Sequence, residues 1–249
     1  MPRLHLNDSL WSRFKAVLFN SGVYNTEDLL MTIEGILYKL RTGIPWRDLP
    51  AEFGNWSTVF KRFNEWSKKG KLKIIFKKLS KDSDSEWTFV DGTIVKAHQH
   101  SSGAVRGEET AIGKSVAGNS TKIHLACDAY GLPIELEITG GQVHEVKIAP
   151  HLIDNIPNLE NFIADKGFDS EELRKKITEI GAVSNIPRRK GNKKDNSDMD
   201  WYLYKLRHLV ENIFARLKHF RSIATRFDKL KRNYEGMVYL GCSLMWLPM

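Results

Sequence analysis

The sequence predicts a mixed α/β protein in which a strand-rich part follows an all-helical region of helix–turn–helix character. Three observations predict it. Apolar residues recur at helical spacing through the first third of the chain. From Trp87 onward, short alternating or continuous apolar runs replace that period. These runs alternate with helical stretches in the order β, β, β, α, β, α, β, α, an order suited to a mixed sheet covered by helices.

Taken in order, Asp8 or Asn7 can cap a helix starting near Ser9, with Leu10, Phe14, Val17 and Leu18 at helical spacing. Asn25 or Thr26 can cap a second, with Leu29, Leu30, Ile33, Ile36, Leu37 and Leu40 on one face. Gly43 stops it and Pro45 keeps it stopped. A link, Ile44 to Gly54, leads to Asn55, which caps a third helix from Trp56 to Lys69 with Val59, Phe60, Phe63 and Trp66 apolar. Gly70 ends it, and a short fourth helix carries Leu72, Ile75, Phe76 and Leu79 among lysines. The third helix also bears Lys61, Arg62, Lys68 and Lys69. That basic face either meets DNA in a groove or is simply solvated.

Lys81 to Glu86 is polar and acidic and reads as the boundary, so the expected domains are 1–84 and 85–249. Beyond it, Trp87 to Val95 is a strand and Ser101 to Ser120 a long loop. Thr121 to Asp128 and Pro133 to Thr139 form a hairpin turning at Tyr130-Gly131. Glu145 to Ile153 is helical, Asn161 to Ala164 a strand, Asp169 to Ile180 a helix ended by Gly181, and Ala182 to Ile186 a strand. A basic loop, Arg188 to Lys194, precedes a long helix from Trp201 to Phe220, and an apolar helix, Gly236 to Leu247, closes the chain.

Length and composition narrow the function classes. A chain of 249 residues, 41% hydrophobic and 27% charged, reads as globular rather than disordered or collagenous. It has no apolar run of about 18 residues, so no transmembrane helix is expected. The first ten residues include Arg3, His5 and Asp8 and no apolar signal core, so a cytoplasmic location is expected. Cys127 and Cys242 provide neither a disulfide framework nor a zinc site. The net charge of +8 divides into +5 for residues 1–86, −5 for 87–183 and +8 for 184–249. Basic flanks around an acidic middle suggest a polyanion such as nucleic acid; solubility alone is the plainer reading.

Three acids stand out. Asp91 lies inside an apolar strand, where an ionised carboxylate needs a cation or a good partner. Asp165 follows the strand Phe162-Ile163-Ala164, at the strand end where α/β sheets commonly place sites. Glu211 sits mid-helix in an otherwise mostly apolar turn. Each alone could be a cap, a turn residue or a surface acid. Together they suggest oxygen ligands for Mg²⁺ or Mn²⁺, and a pair of such ions can promote phosphodiester cleavage. Steps of three, four and seven residues put Tyr204, Arg207, Glu211 and Lys218 on one helical face. Arg207 and Glu211 are either a modest i, i+4 ion pair or a phosphate clamp beside a metal ligand.

This Tyr-Arg-Glu-Lys spacing resembles the signature of bacterial insertion-sequence transposases with an Asp-Asp-Glu site, most closely the insertion sequence five family. Further matching stretches are Leu40 to Pro50, Phe53 to Trp56, Asp91-Gly92-Thr93, Ala97 to His100, Thr121-Lys122-Ile123-His124, Ala164 to Ser170 and Ala224 to Leu230. They cover nearly the whole chain, and the C-terminal Trp246-Leu247 makes it look untruncated. The resemblance implies a ribonuclease H-like catalytic domain after a DNA-binding helical one. It implies that Asp91, Asp165 and Glu211 are catalytic and hold two Mg²⁺ ions, with Mn²⁺ as a substitute. Tyr204, Arg207 and Lys218 would hold transposon-end DNA, with Lys61, Arg62, Lys166, Arg188 and Arg189 as further DNA contacts. Inverted-repeat ends and target DNA are the implied partners, engaged by a dimer or higher assembly. His98 and His100 read as structural or DNA-facing rather than metal-binding, and His144-Glu145 as an edge of the site. A DNA-binding protein without catalysis and a general ribonuclease H-like nuclease are the rival classes.

Overall fold

A computed structural model describes residues 2–101, 103, 109–116, 118–191 and 194–249. The helices are α1 (Asp8–Asn20), α2 (Leu29–Thr42), α3 (Trp56–Lys68), α4 (Lys71–Leu79), α5 (Ala149–Asp154), α6 (Glu171–Glu179), α7 (Trp201–Lys205), α8 (His208–Lys218), α9 (Arg221–Ala224) and α10 (Lys231–Trp246). The strands are β1 (Trp87–Ala97), β2 (Gly113–Ser115), β3 (Gly118–Cys127), β4 (Pro133–Gly140), β5 (Asn161–Ala164), β6 (Val183–Asn185) and β7 (Thr225–Arg226). No helix among the described residues is long and apolar enough to cross a membrane. Cys127 and Cys242 are both buried and free.

The chain forms two compact units that interleave along the sequence. The first takes the residues up to Lys81, Lys96–Ala111 and Leu217–Met249; the second takes Asp82–Val95 and Ile112–Arg216. These units differ from a simple division at residue 84. The C-terminal segment joins the N-terminal helices because α10 packs against α3 and α4.

In the first unit, caps occur where local chemistry provides them. Asn7 accepts a hydrogen bond from the Leu10 amide, and Asn55 accepts one from Ser57. α2 starts later than Asn25 or Thr26 would place it: its N-cap is Asp28, and the Thr26 hydroxyl is taken up by Arg62 while its carbonyl accepts from the Leu29 amide. Gly43 ends α2 in the left-handed region at φ 72°. α10 extends well N-terminal of Gly236, and Tyr234, Met237, Val238 and Cys242 are buried along it. Arg226 is also buried, donating to the carbonyls of Thr110, Ala111, Asp228 and Lys229 and lying over the Tyr234 ring. These bonds satisfy a charge that would otherwise be expensive to bury.

The sheet runs β2-β3-β1-β5-β6, with β4 on β3; the end of β1, in the first unit, pairs with β7. β1, β5 and β6 are parallel, whereas β2, β3 and β4 are antiparallel. This is the mixed α/β, ribonuclease H-like class. Its core is built on Phe89, Val90, Leu125, Leu136, Phe162 and Ile163. The stretch Ser101 to Ser120 is not all loop: β2 forms within it and β3 begins at Gly118. Ser102, 104–108 and Ala117 of that stretch lie outside the described residues, as do Asn192 and Lys193 of the basic loop. Glu145–Lys147 is a 3₁₀ turn before α5, so the expected helix is divided in two.

Candidate active site

Strand register brings Asp91 and Asp165 together. On the parallel strands β1 and β5, Phe89 is opposite Ile163 and Val90 is opposite Ala164. The next residue on each is an acid, so two carboxylates leave adjacent strands where their pairing ends. Burial holds the Asp91 carboxyl above its ordinary range. The Gly92 amide and Arg207 draw it down, while the charges of Asp165 and Glu145 push it further up. Asp165 accepts a hydrogen bond from the Gly167 amide at 2.7 Å, which caps the 3₁₀ turn Lys166–Phe168. Phe168 plugs that turn into the core beside Phe162. Asp169, through its buried ion pair with Arg174, ties the turn to α6.

Glu211 lies beyond a break in its helix. The expected continuous helix from Trp201 to Phe220 is two helices, α7 and α8, separated by Leu206 and Arg207. The amides of Leu206, Arg207, Leu209 and Val210 bond three residues back rather than four. This tightens the turn and alters the direction of each side chain relative to an ideal α-helix. Arg207 donates to Asp91 Oδ2 at 3.0 Å and to Glu211 Oε1 at 2.5 Å, linking the first acid to the third. Burial opposes the charge on Arg207, but Asp91 and Glu211 outweigh it and hold the guanidinium above its ordinary value. Asp200 caps α7 through the Leu203 amide and exchanges bonds with Asn185 at the end of β6. The Tyr204 ring stands edge-on to Trp201.

Another acid, Glu145, lies against Gly92 and near Gly167. A Cβ on Gly92 would come within 2.7 Å of Glu145 Oε1, and one on Gly167 within 3.4 Å of Glu145 Oε2. Lys122 on β3 holds Glu145 at 3.3 Å and donates to the Val143 carbonyl. Sequence reasoning put Glu145 only at the edge of the site. The available signal was a lone acid just past the end of β4.

The other expected DNA contacts have varied surroundings. Lys166 and Lys61 are exposed, and so is Lys218 at the end of α8. Arg62 bonds to Asp28, Thr32 and Thr26, fastening α3 to the start of α2. Arg188 forks onto Asp198. Arg189 donates to the Lys166 and Gly167 carbonyls and so braces the Asp165 turn. His98 stacks on Phe227, and its Nδ1 accepts the His100 amide, a structural arrangement.

The donors at the site are all carboxylates, with no soft ligand, which suits a hard divalent cation. Among the described residues no three His, Cys, Asp or Glu side chains are already disposed around one point. Arg207 instead neutralises two of the acids.

This sheet, with helices after and before it, defines a ribonuclease H-like protein. Residues 82–246 match the family described as "Transposase DDE domain", and residues 6–76 match "Putative transposase of IS4/5 family". The chain belongs to the DDE transposases, as an insertion-sequence transposase. It is 35% identical over 131 residues to the Brucella ovis protein described as "Putative transposase for insertion sequence element IS6501", across 51% of this chain and 98% of that one. It is 30% identical over 136 residues to the Burkholderia cepacia protein described as "Putative transposase for insertion sequence element IS402", across 50% of this chain and 62% of that one. A piggyBac transposase solved as a synaptic complex with hairpin DNA is similar at 13% identity and a TM-score of 0.43, over 75% of this chain and 50% of that one.

Proposed function

We propose that this transposase binds the terminal inverted repeats of its element, cleaves at the ends by hydrolysis and joins the freed 3′ hydroxyls to target DNA by transesterification. The observation that supports the reading is the strand register that sets Asp91 beside Asp165, with Arg207 bridging Asp91 to Glu211. These three acids would hold two Mg²⁺ ions, or Mn²⁺ in their place, which supply activation of the attacking oxygen and neutralisation of charge at the phosphate. Arg207 orients Asp91 and Glu211. Tyr204, Arg207 and Lys218 grip the backbone of the transposon end, and Lys166 reaches phosphate from the Asp165 turn. Residues 1–84 read the repeat, with Lys61 and Arg62 on the basic helix, and residues 85–249 carry out the chemistry. Arg188 and Arg189 add positive charge near the second acid. Two ends must be processed together, so a dimer or higher assembly forms on DNA in the bacterial cytoplasm. Many phosphate contacts make the complex sensitive to salt.

The test is cleavage of end-bearing DNA in Mg²⁺. Asp91→Asn and Glu211→Gln are each expected to lose activity by more than about a hundredfold, since even outer-shell changes reach that size. Parent-like cleavage by either variant rejects the triad. Binding that survives EDTA, with no cleavage in any metal, points to a DNA-binding protein without catalysis.

A further inference from the structure

We propose that Glu145 supplies a fourth carboxylate to the divalent-metal site and that Lys122 is the residue that positions it. The proposal rests on the reading of Asp91, Asp165 and Glu211 given above. The carboxylate of Glu145 occupies the space left by Gly92, the residue after Asp91, and comes within ordinary contact distance of a side chain at Gly167, two residues after Asp165. Its Oε1 lies where a side chain on Gly92 would stand, and its Oε2 lies toward Gly167, whose own missing Cβ would sit 2.7 Å from Asp165 Oδ1. One carboxylate thus faces both the residue after Asp91 and the turn that Asp165 caps. The two oxygens have different surroundings. Oε1 faces the Lys122 ammonium, whereas Oε2 has no hydrogen-bond or ion-pair partner among the described residues. An acceptor held on one side and open on the other, beside two acids, suits a hard cation.

The approach of Glu145 is built by the fold. It follows the end of β4 and opens the 3₁₀ turn before α5, with the Ile148 amide bonded to its carbonyl. Lys122 is nearly buried on β3, and its ammonium spans the Val143 carbonyl and Glu145. It fixes both the backbone before Glu145 and the carboxylate itself. A lysine so enclosed needs these acceptors. The geometry therefore assigns a joint role to two stretches that the triad leaves unused, Thr121 to His124 and His144-Glu145.

The test uses the full chain and two readouts. Mn²⁺ binding is titrated by the electron paramagnetic resonance signal of the free ion, and cleavage of end-bearing DNA is measured against Mg²⁺ concentration. Glu145→Gln is expected to weaken Mn²⁺ binding about tenfold and to raise the Mg²⁺ needed for half-maximal cleavage by a similar factor. Its far-ultraviolet circular dichroism and its DNA binding in EDTA should match the parent. Lys122→Met should shift the metal dependence in the same direction, and Lys122→Arg should restore most of it, which loss of packing alone would not produce. Parent-like Mn²⁺ affinity and Mg²⁺ dependence in Glu145→Gln, with Asp91→Asn inactive, overturns the role of Glu145 and leaves the triad standing. Parent-like cleavage by Asp91→Asn overturns both.

Discussion

At the residue scale, several buried or half-buried charges of the second unit answer to specific neighbours. Asp91 is partly buried, raised by that burial, and steadied by Arg207 and the Gly92 amide. On the opposite strand, His124 is enclosed, with Nε2 at 2.8 Å from the Thr139 hydroxyl. Burial, helped by Lys122, lowers its imidazole to about 3 from 6.5. The folded protein therefore keeps His124 neutral where the unfolded chain takes up a proton. Its contribution to stability is complete above pH 6.5 and is lost as pH falls toward 3. From pH 6.5 to 5 that loss is about 2 kcal/mol. Asp128 acts in the opposite sense, because burial raises its carboxyl to about 6 and the folded state gains from its protonation as pH falls. The difference between parent and variant isolates the histidine. Urea midpoints of His124→Gln should fall less steeply than the parent's from pH 6.5 to 5, and equal slopes would refute the assignment.

At the element scale, two features of helix ends determine what the helices can do. The turn between α7 and α8 bonds three residues back, which carries Arg207 to both Asp91 and Glu211. The end of α2 depends on Gly43, at φ 72° and with Arg221 Cβ 3.0 Å from where its own Cβ would be. Gly43→Ala meets both a left-handed backbone and a close neighbour. It should destabilise the helical unit by about 1–3 kcal/mol, read as a lower midpoint in thermal unfolding. An unchanged midpoint would mean that this helix end relaxes freely.

At the scale of the whole molecule, the two units are assembled from segments distant in sequence. α10 packs against α3 and α4 and buries Tyr234, Met237 and Val238. A chain ending at residue 216 would leave those apolar surfaces of α3 and α4 in water, at about 25 cal/mol for each Å² exposed. Circular dichroism of that truncated chain should show the helical unit melting without a cooperative transition. A sharp, parent-like melt would mean that the N-terminal helices are stable without α10.

The sequence by itself determined the class and most of the elements. Apolar spacing, Asn and Gly at helix ends, and alternation in the hairpin are local signals, and α1, α3, α4, β1, β4 and β5 lie close to where those signals place them. The spacing of Tyr204, Arg207, Glu211 and Lys218 assumed one continuous helix, which the structure divides into α7 and α8. Tertiary structure alone decided which residues meet. Register put Asp91 beside Asp165, a tightened turn gave Arg207 two acids to hold, and Lys122 brought Glu145 to the same place. Arg62, Arg188 and Arg189 look alike in sequence as basic residues, yet the fold uses each to fasten local structure. The start of α2 and the grouping of α10 with the N-terminal helices likewise depend on packing between distant segments. Local pattern reports what a residue prefers along its own chain, whereas its partners in space are set by the sum of contacts made when the whole chain has folded.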